Sequence, residues 1–170
     1  MITMRFLKAF LVPMLLLAGV SCSSTSKPNR SATRISSVKT TAYTHTESDH
    51  IKFGAKTAIG TSLKYGRVRS AATDWSVYPL GTIFQIDGQP YIYQVDDYGS
   101  ALVGTNTIDL YEPTKAHMKQ WGARNVNIRV LKWGSFTQSL AVMKPRTFAG
   151  EYIRRMVDRI QRVTGSKRTS

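Results

Sequence analysis

Acidic residues and cysteine are scarce in this chain of 170 residues, which has 10 Asp+Glu against 24 Lys+Arg and one Cys. A single cysteine excludes a disulfide framework, and no Cys/His grouping has the spacing of a structural zinc site. The length excludes a multidomain machine and fits one domain with tails. Charged residues make up 20% and hydrophobic ones 42%, enough apolar material for a packed core and unlike a disordered composition. Long hydrophobic runs are also missing. The apolar stretch Ala9–Gly19 is about half of the roughly 20 residues that span a bilayer, so it reads as a signal-peptide core.

Basic Arg5 and Lys8 precede that stretch, and the small residues Gly19-Val20-Ser21 lead into Cys22. The order resembles a bacterial lipoprotein signal, with residues 1–21 removed and Cys22 lipidated; Gly19 stands where such sites usually carry Leu. The resemblance implies a membrane contact through Cys22 in the cell envelope, on the periplasmic face of the outer membrane if the cell has two membranes. An exported protein rarely meets nucleic acid. The formal charge of +14 is therefore read as attraction to lipid head groups and carboxylate-rich wall polymers.

Residues 22–37 read as the lipidated cysteine and a flexible tether, because Ser23–Ser37 is rich in Ser and Thr, with Ile35 its only large apolar residue. Residues 38–135 read as a mainly β domain. Strands are expected at Val38–Thr44, Arg67–Ala72, Thr82–Ile86, Tyr91–Val95, Thr107–Tyr111 and Val126–Leu131. Asp87-Gly88 between the third and fourth supplies a hairpin turn. One short helix fits Thr114–Trp121, with Pro113 near its start and Gly122 past its end. Imperfect alternation favours a small closed barrel over a flat sandwich. Residues 136–170 form a basic extension with an amphipathic helix, its apolar stripe being Phe148, Tyr152, Ile153, Met156, Ile160 and Val163, capped by Thr147. That helix packs on the barrel, lies on an anionic membrane surface, or binds a partner.

Asp, Gly and Thr are concentrated in three stretches: Thr41-Ala42-Tyr43-Thr44; Asp74 followed by Pro79-Leu80-Gly81-Thr82; and Asp97-Tyr98-Gly99, with Gly104, running into Ile108-Asp109-Leu110-Tyr111. Trp121-Gly122 and a last β-rich run follow. In order and spacing the pattern resembles the three-aspartate ("3D") domain family, related to the catalytic barrel of membrane-bound lytic transglycosylase A. The resemblance covers about Thr40 to Trp133. It implies a six-stranded double-psi β-barrel with its aspartates in one groove.

Carried over by position, the three aspartates are Asp74, Asp97 and Asp109. The resemblance makes Asp109 the catalytic acid and Asp97 its groove neighbour. Asp74, Thr41 and Tyr43 become supporting residues, and Tyr98, Gly99 and Gly104 substrate-binding ones. The chain departs from the family by one extra residue between Asp97 and Asp109, within Gly104–Thr107, and by Ser100-Ala101-Leu102-Val103 in place of the usual run. The physical reading agrees with the assignment: Asp109 lies between Ile108 and Leu110 in a strand and points away from them, toward a groove if they face the core. Two nearby carboxylates in a partly desolvated groove raise one pKa. The implied reaction breaks the MurNAc–GlcNAc β-1,4 bond of peptidoglycan glycan strands and closes a 1,6-anhydro ring, with no metal or cofactor.

The competing function is a non-catalytic peptidoglycan-binding or structural envelope lipoprotein; an expansin-like barrel resembling rare lipoprotein A is a third. An isolated barrel offers half a cleft, which a homodimer, a cell-wall protein partner or the C-terminal helix would complete. Asp87 and Asp96 read as turn and surface residues, and His45 and His50 as solvated loop residues. Trp75 and Tyr78 read as core or turn support, whereas Tyr98 is the better sugar contact.

Overall fold

The computed structural model describes residues 32–48 and 50–166. The expected signal peptide, Cys22 and the first part of the tether lie outside the described residues.

Six strands form: β1 Thr33–Tyr43, β2 Val68–Ala72, β3 Ile83–Ile86, β4 Ile92–Asp97, β5 Ile108–Tyr111 and β6 Arg124–Lys132. They close into a barrel in the order β1-β5-β2-β4-β3-β6. Two pairs are parallel, β1 with β5 and β2 with β4, and the other four are antiparallel. Advancing every strand by three places maps this pairing onto itself: β1·β5 becomes β4·β2, β1·β6 becomes β4·β3, and β2·β5 and β3·β6 are unchanged. That internal twofold relation, with one parallel pair in each half, is the double-psi arrangement expected from the motif order.

Period-two alternation directs Phe84 and Ile86, Tyr93 and Val95, Ile108 and Leu110, and Ile128 and Val130 into the barrel, where all are buried. Asp109 alternates outward between Ile108 and Leu110. A second, smaller cluster of Tyr43, Ala72, Leu102 and Tyr111 packs outside the barrel wall. Gly88, at φ 79°, makes the β3–β4 turn, and Gln89 N–H donates to Ile86 O across it at 3.0 Å.

The first strand starts earlier than expected. Thr33–Ser37, assigned to the tether, pairs with β6 through a bulge between Ile35 and Val38. Ser37 takes φ 56° there, and its N–H donates to Asn127 Oδ1 at 3.1 Å. Polar composition concealed this segment because its side chains stay largely exposed while its backbone pairs.

The short helix α1, Lys115–Trp121, lies where expected: Thr114 accepts from His117 N–H at its start and Gly122 closes its end. The extension holds α2, Phe136–Met143, then a 3₁₀ turn over Lys144–Ala149, then α3, Glu151–Ser166. No separate α2 was expected. Gly150, in an extended conformation after the 3₁₀ turn, separates that turn from α3, so Phe148 falls outside α3 and is 85% exposed. Thr147 does not cap α3; its hydroxyl donates to Lys144 O. The buried stripe of α3 is Ile153, Met156, Val157 and Ile160, which joins Met143 in the main core. With that stripe covered by the barrel, the helix cannot lay its apolar face on a membrane. Among the described residues no helix is long and apolar enough to cross one.

Candidate active site

Strand register lines up four residues from neighbouring strands. Thr41 pairs with Asp109, Asp109 with Ala72, and Ala72 with Asp97. At roughly 4.8 Å between strands, the Cα atoms of Asp97 and Asp109 stand about 10 Å apart with Ala72 between them. Ala72 presents only a methyl group, which keeps the space between the two carboxyls open. Thr41 Oγ1 donates to Asp109 Oδ1 at 2.6 Å. Both aspartates border a cavity of about 250 Å³ together with Thr41, Tyr43, Tyr98 and Gly99.

Asp97 reaches this level through a bulge: β2 pairs Ala71 with Val95 and Ala72 with Asp97, leaving Asp96 as the extra residue. Asp97 is 5% exposed and accepts from Tyr43 Oη (3.0 Å), Ala58 N–H (3.0 Å) and Tyr98 N–H (2.9 Å). Burial pushes its carboxyl up to about 6, against the opposing pull of these three donors and of nearby His50. Removal from water is thus the cause of the raised value. The sequence predicts a raised value from two neighbouring carboxylates in a partly desolvated groove; here desolvation is the leading cause. Burial and the Asp97 charge together push the Tyr43 phenol well above its ordinary value, so it stays a donor.

Asp96 corrects the expectation of a surface residue. It is fully buried, and its Oδ2 accepts from Lys64 Nζ at 2.6 Å and Ser70 Oγ at 2.9 Å. The bulge turns it away from Asp97, and burial raises its pKa while Lys64 opposes the shift. Asp87 is a turn residue, ion-paired with Arg34 and Arg129.

Asp74 touches neither groove carboxylate. Its Oδ1 accepts from Ser76 N–H and Oγ; its Oδ2 accepts from Gly104 N–H at 2.9 Å and Arg159 Nη1 at 3.1 Å. Gly104, at φ 85°, is held there beside Arg155 and Arg159, away from the two cavities. Tyr98 borders both cavities, its ring edge-on to buried Trp75 with centroids 4.8 Å apart. Trp75 itself donates from Nε1 to Asp97 O at 2.8 Å and belongs to the core. Tyr78 is buried and stacks on Trp133.

His50 is not the solvated loop residue its sequence context suggested. It borders both cavities, its ring lies 5.4 Å from that of Tyr43, and its Nε2 is buried without a hydrogen-bond partner among the described residues. His45 bonds to the Tyr111 hydroxyl. Two further residues were not expected at the site, Arg146 and Tyr152. With His50, Asp97 and Tyr98 they enclose a second cavity of about 460 Å³ between the barrel and the C-terminal segment. The sequence puts Tyr152 on the apolar stripe of the C-terminal helix and offers that helix as a wall of the cleft, but which side chains form the wall depends on how α3 docks. Among the described residues no group of three His, Cys, Asp or Glu is placed to hold a metal ion.

A double-psi barrel carrying three aspartates, two of them facing one groove, defines a class. Residues 69–132, which run from β2 through β6, match the family model of the 3D domain. β1 lies outside the match although it closes the barrel and supplies Thr41 and Tyr43. YabE of Bacillus subtilis (strain 168), whose name describes cell wall shaping, is 34% identical over 115 residues, 67% of this chain and 27% of that protein. YocH of the same organism, named a cell wall-binding protein, is 32% identical over 104 residues, 61% of this chain and 34% of its own length. The chain thus spans about a third or less of these relatives. The crystal structure of MltA from E. coli aligns over 46% of this chain and 28% of that one, at 25% identity and a TM-score of 0.37.

Proposed function

We propose that this protein acts on peptidoglycan as a lytic transglycosylase, with Asp109 as the catalytic acid and base. The observation that carries this reading is the shared cavity in which Asp97 and Asp109 stand at one barrel level, each held by a hydroxyl from β1. Protonated Asp109 gives its proton to the glycosidic oxygen between MurNAc and GlcNAc as that bond breaks. The resulting carboxylate takes the proton of the muramoyl C6 hydroxyl, whose oxygen closes the 1,6-anhydro ring at C1. The proton is returned, so one residue serves both halves. Thr41 orients the Asp109 carboxyl. Asp97, with three protein donors on its two oxygens, organises Tyr43, Ala58 and Tyr98 around the groove rather than transferring a proton. The 3D domain and the cell-wall names of the relatives support the substrate class. Lipidation at Cys22, placing the barrel at an envelope membrane, belongs to the same proposal.

The test is digestion of purified peptidoglycan by the full-length protein, read by mass spectrometry. Release of 1,6-anhydromuramoyl products, reduced about 10³–10⁴-fold in a folded Asp109→Asn variant, is expected. Reducing muramic ends would mean hydrolysis, and full activity of the variant would remove Asp109 from its role. A second reading, a wall-binding module without turnover, draws support from the three protein donors already on Asp97 and from the binding name of YocH. It requires sedimentation with peptidoglycan and no released products.

A further inference from the structure

The larger cavity adjoins the groove rather than repeating it. It shares Asp97, Tyr98 and His50 with the smaller one, but its far wall comes from Arg146, Ala149 and Tyr152 of the C-terminal segment, outside the matched 3D domain. Its chemistry differs too. Two cations, Lys56 and Arg146, border it, and Asp97 is its only acid among the described residues. Neither cation has an ion-pair partner among the described residues: Arg146 Nη1 donates to the backbone oxygen of Ala58 at 2.5 Å, and Lys56 Nζ to Ser62 Oγ at 3.4 Å. Aromatic rings complete the wall. Tyr98 and Tyr152 lie 6.1 Å apart at 55°, and Phe53 is 58% exposed at the rim.

Unpaired cations beside aromatic faces, in a space of about 460 Å³, suit a pyranose with an acidic substituent. The geometry points to this cavity as the subsite for a carboxylate-bearing sugar unit, such as a muramoyl residue with its acidic peptide, and to Arg146 as the partner of that carboxylate. This rests on the peptidoglycan reading above and adds which part of the glycan the C-terminal segment recognises. Ala58 links the subsite to the groove: its oxygen accepts from Arg146 while its N–H donates to Asp97 Oδ1. A carboxylate drawn to Arg146 is thereby seated one residue from the hydrogen-bond network of Asp97.

The experiment is calorimetric binding of the full-length protein to two probes. One is the disaccharide GlcNAc-MurNAc carrying its acidic peptide, which lacks the MurNAc–GlcNAc bond and cannot be cleaved; the other is neutral tetra-N-acetylchitotetraose. Arg146→Gln, which keeps a donor for Ala58 O, should weaken the acidic probe roughly tenfold and change the neutral one less than twofold. Arg146→Lys should recover most of the loss. Lys56→Gln, a separate substitution at the same cavity, should also act on the acidic probe alone. Equal losses on both probes, no loss on either, or no binding of the acidic probe by the unsubstituted protein would each overturn the assignment. Binding is read without turnover. A protein that releases no anhydro products but discriminates through Arg146 keeps this inference and loses the lytic reading; one that cleaves but ignores the Arg146 charge does the reverse.

Discussion

Asp74 and Arg159 meet at 3.1 Å across 85 positions of sequence. The contact fastens α3 to the first of the three aspartates, and the same carboxylate holds Gly104 in the loop before β5. The docked extension and the groove strand are thus tied through one buried acid.

Removing that acid should therefore loosen both. Asp74→Ala leaves the N–H groups of Ser76 and Gly104 without their acceptor, and an expected loss is about 2–4 kcal/mol from several hydrogen bonds. Arg159→Ala should cost about 1 kcal/mol or less, because the guanidinium is partly exposed and screened. Urea unfolding of the two variants checks the order; an Arg159 loss exceeding that of Asp74 would contradict it.

Stability should carry the signature of Asp97. Its folded pKa, about 6, lies above the ordinary 3.8, so the folded protein holds the proton more tightly than the unfolded chain. The contribution is fully present below about 3.8 and is lost as pH rises through about 6, amounting to about 3 kcal/mol. Asp97→Asn has no charge to bury and can still accept from Ala58 and Tyr98. It should be more stable than the parent above pH 6, with the gap closing toward pH 4. Thermal melts across that range decide; a parallel pair of curves would mean Asp97 is not desolvated.

Gly134 permits a close backbone crossing. A Cβ there would lie 2.2 Å from Leu80 O and 2.3 Å from Pro79 O, with backbone on both sides and no side chain to yield. Gly134→Ala should therefore cost about 1–3 kcal/mol by overpacking. It should also disturb the stack of Trp133 on Tyr78, visible in near-ultraviolet circular dichroism.

Truncation after Ser135 should expose the core that Met143, Ile153, Met156 and Ile160 cover. Each such side chain contributes about 1.5–3 kcal/mol by burial, so the shortened protein should aggregate or melt far below the parent. An unchanged melting temperature would show that the extension docks without supporting the barrel.

Much of the barrel was readable in the chain itself. Alternation of apolar residues, Asp-Gly at the hairpin, and Pro113 and Gly122 at the ends of the short helix are local signals, and local backbone chemistry answers to them. The resemblance to the 3D family implied a shared groove for Asp97 and Asp109, whereas alternation alone says only that Asp109 points away from Ile108 and Leu110 in a strand. Tertiary structure decided the rest. Asp96 and Asp97 are identical neighbours in sequence, and only the bulge against Ala71 and Ala72 sends one to Lys64 and the other to the groove. His50, Arg146 and Tyr152 enter the cavities from segments whose positions depend on distant packing. Residue types record local conformation and average burial, whereas a pKa or a cavity wall depends on which distant atoms displace water around a side chain. That displacement is settled only when β1 closes the barrel and α3 docks against it.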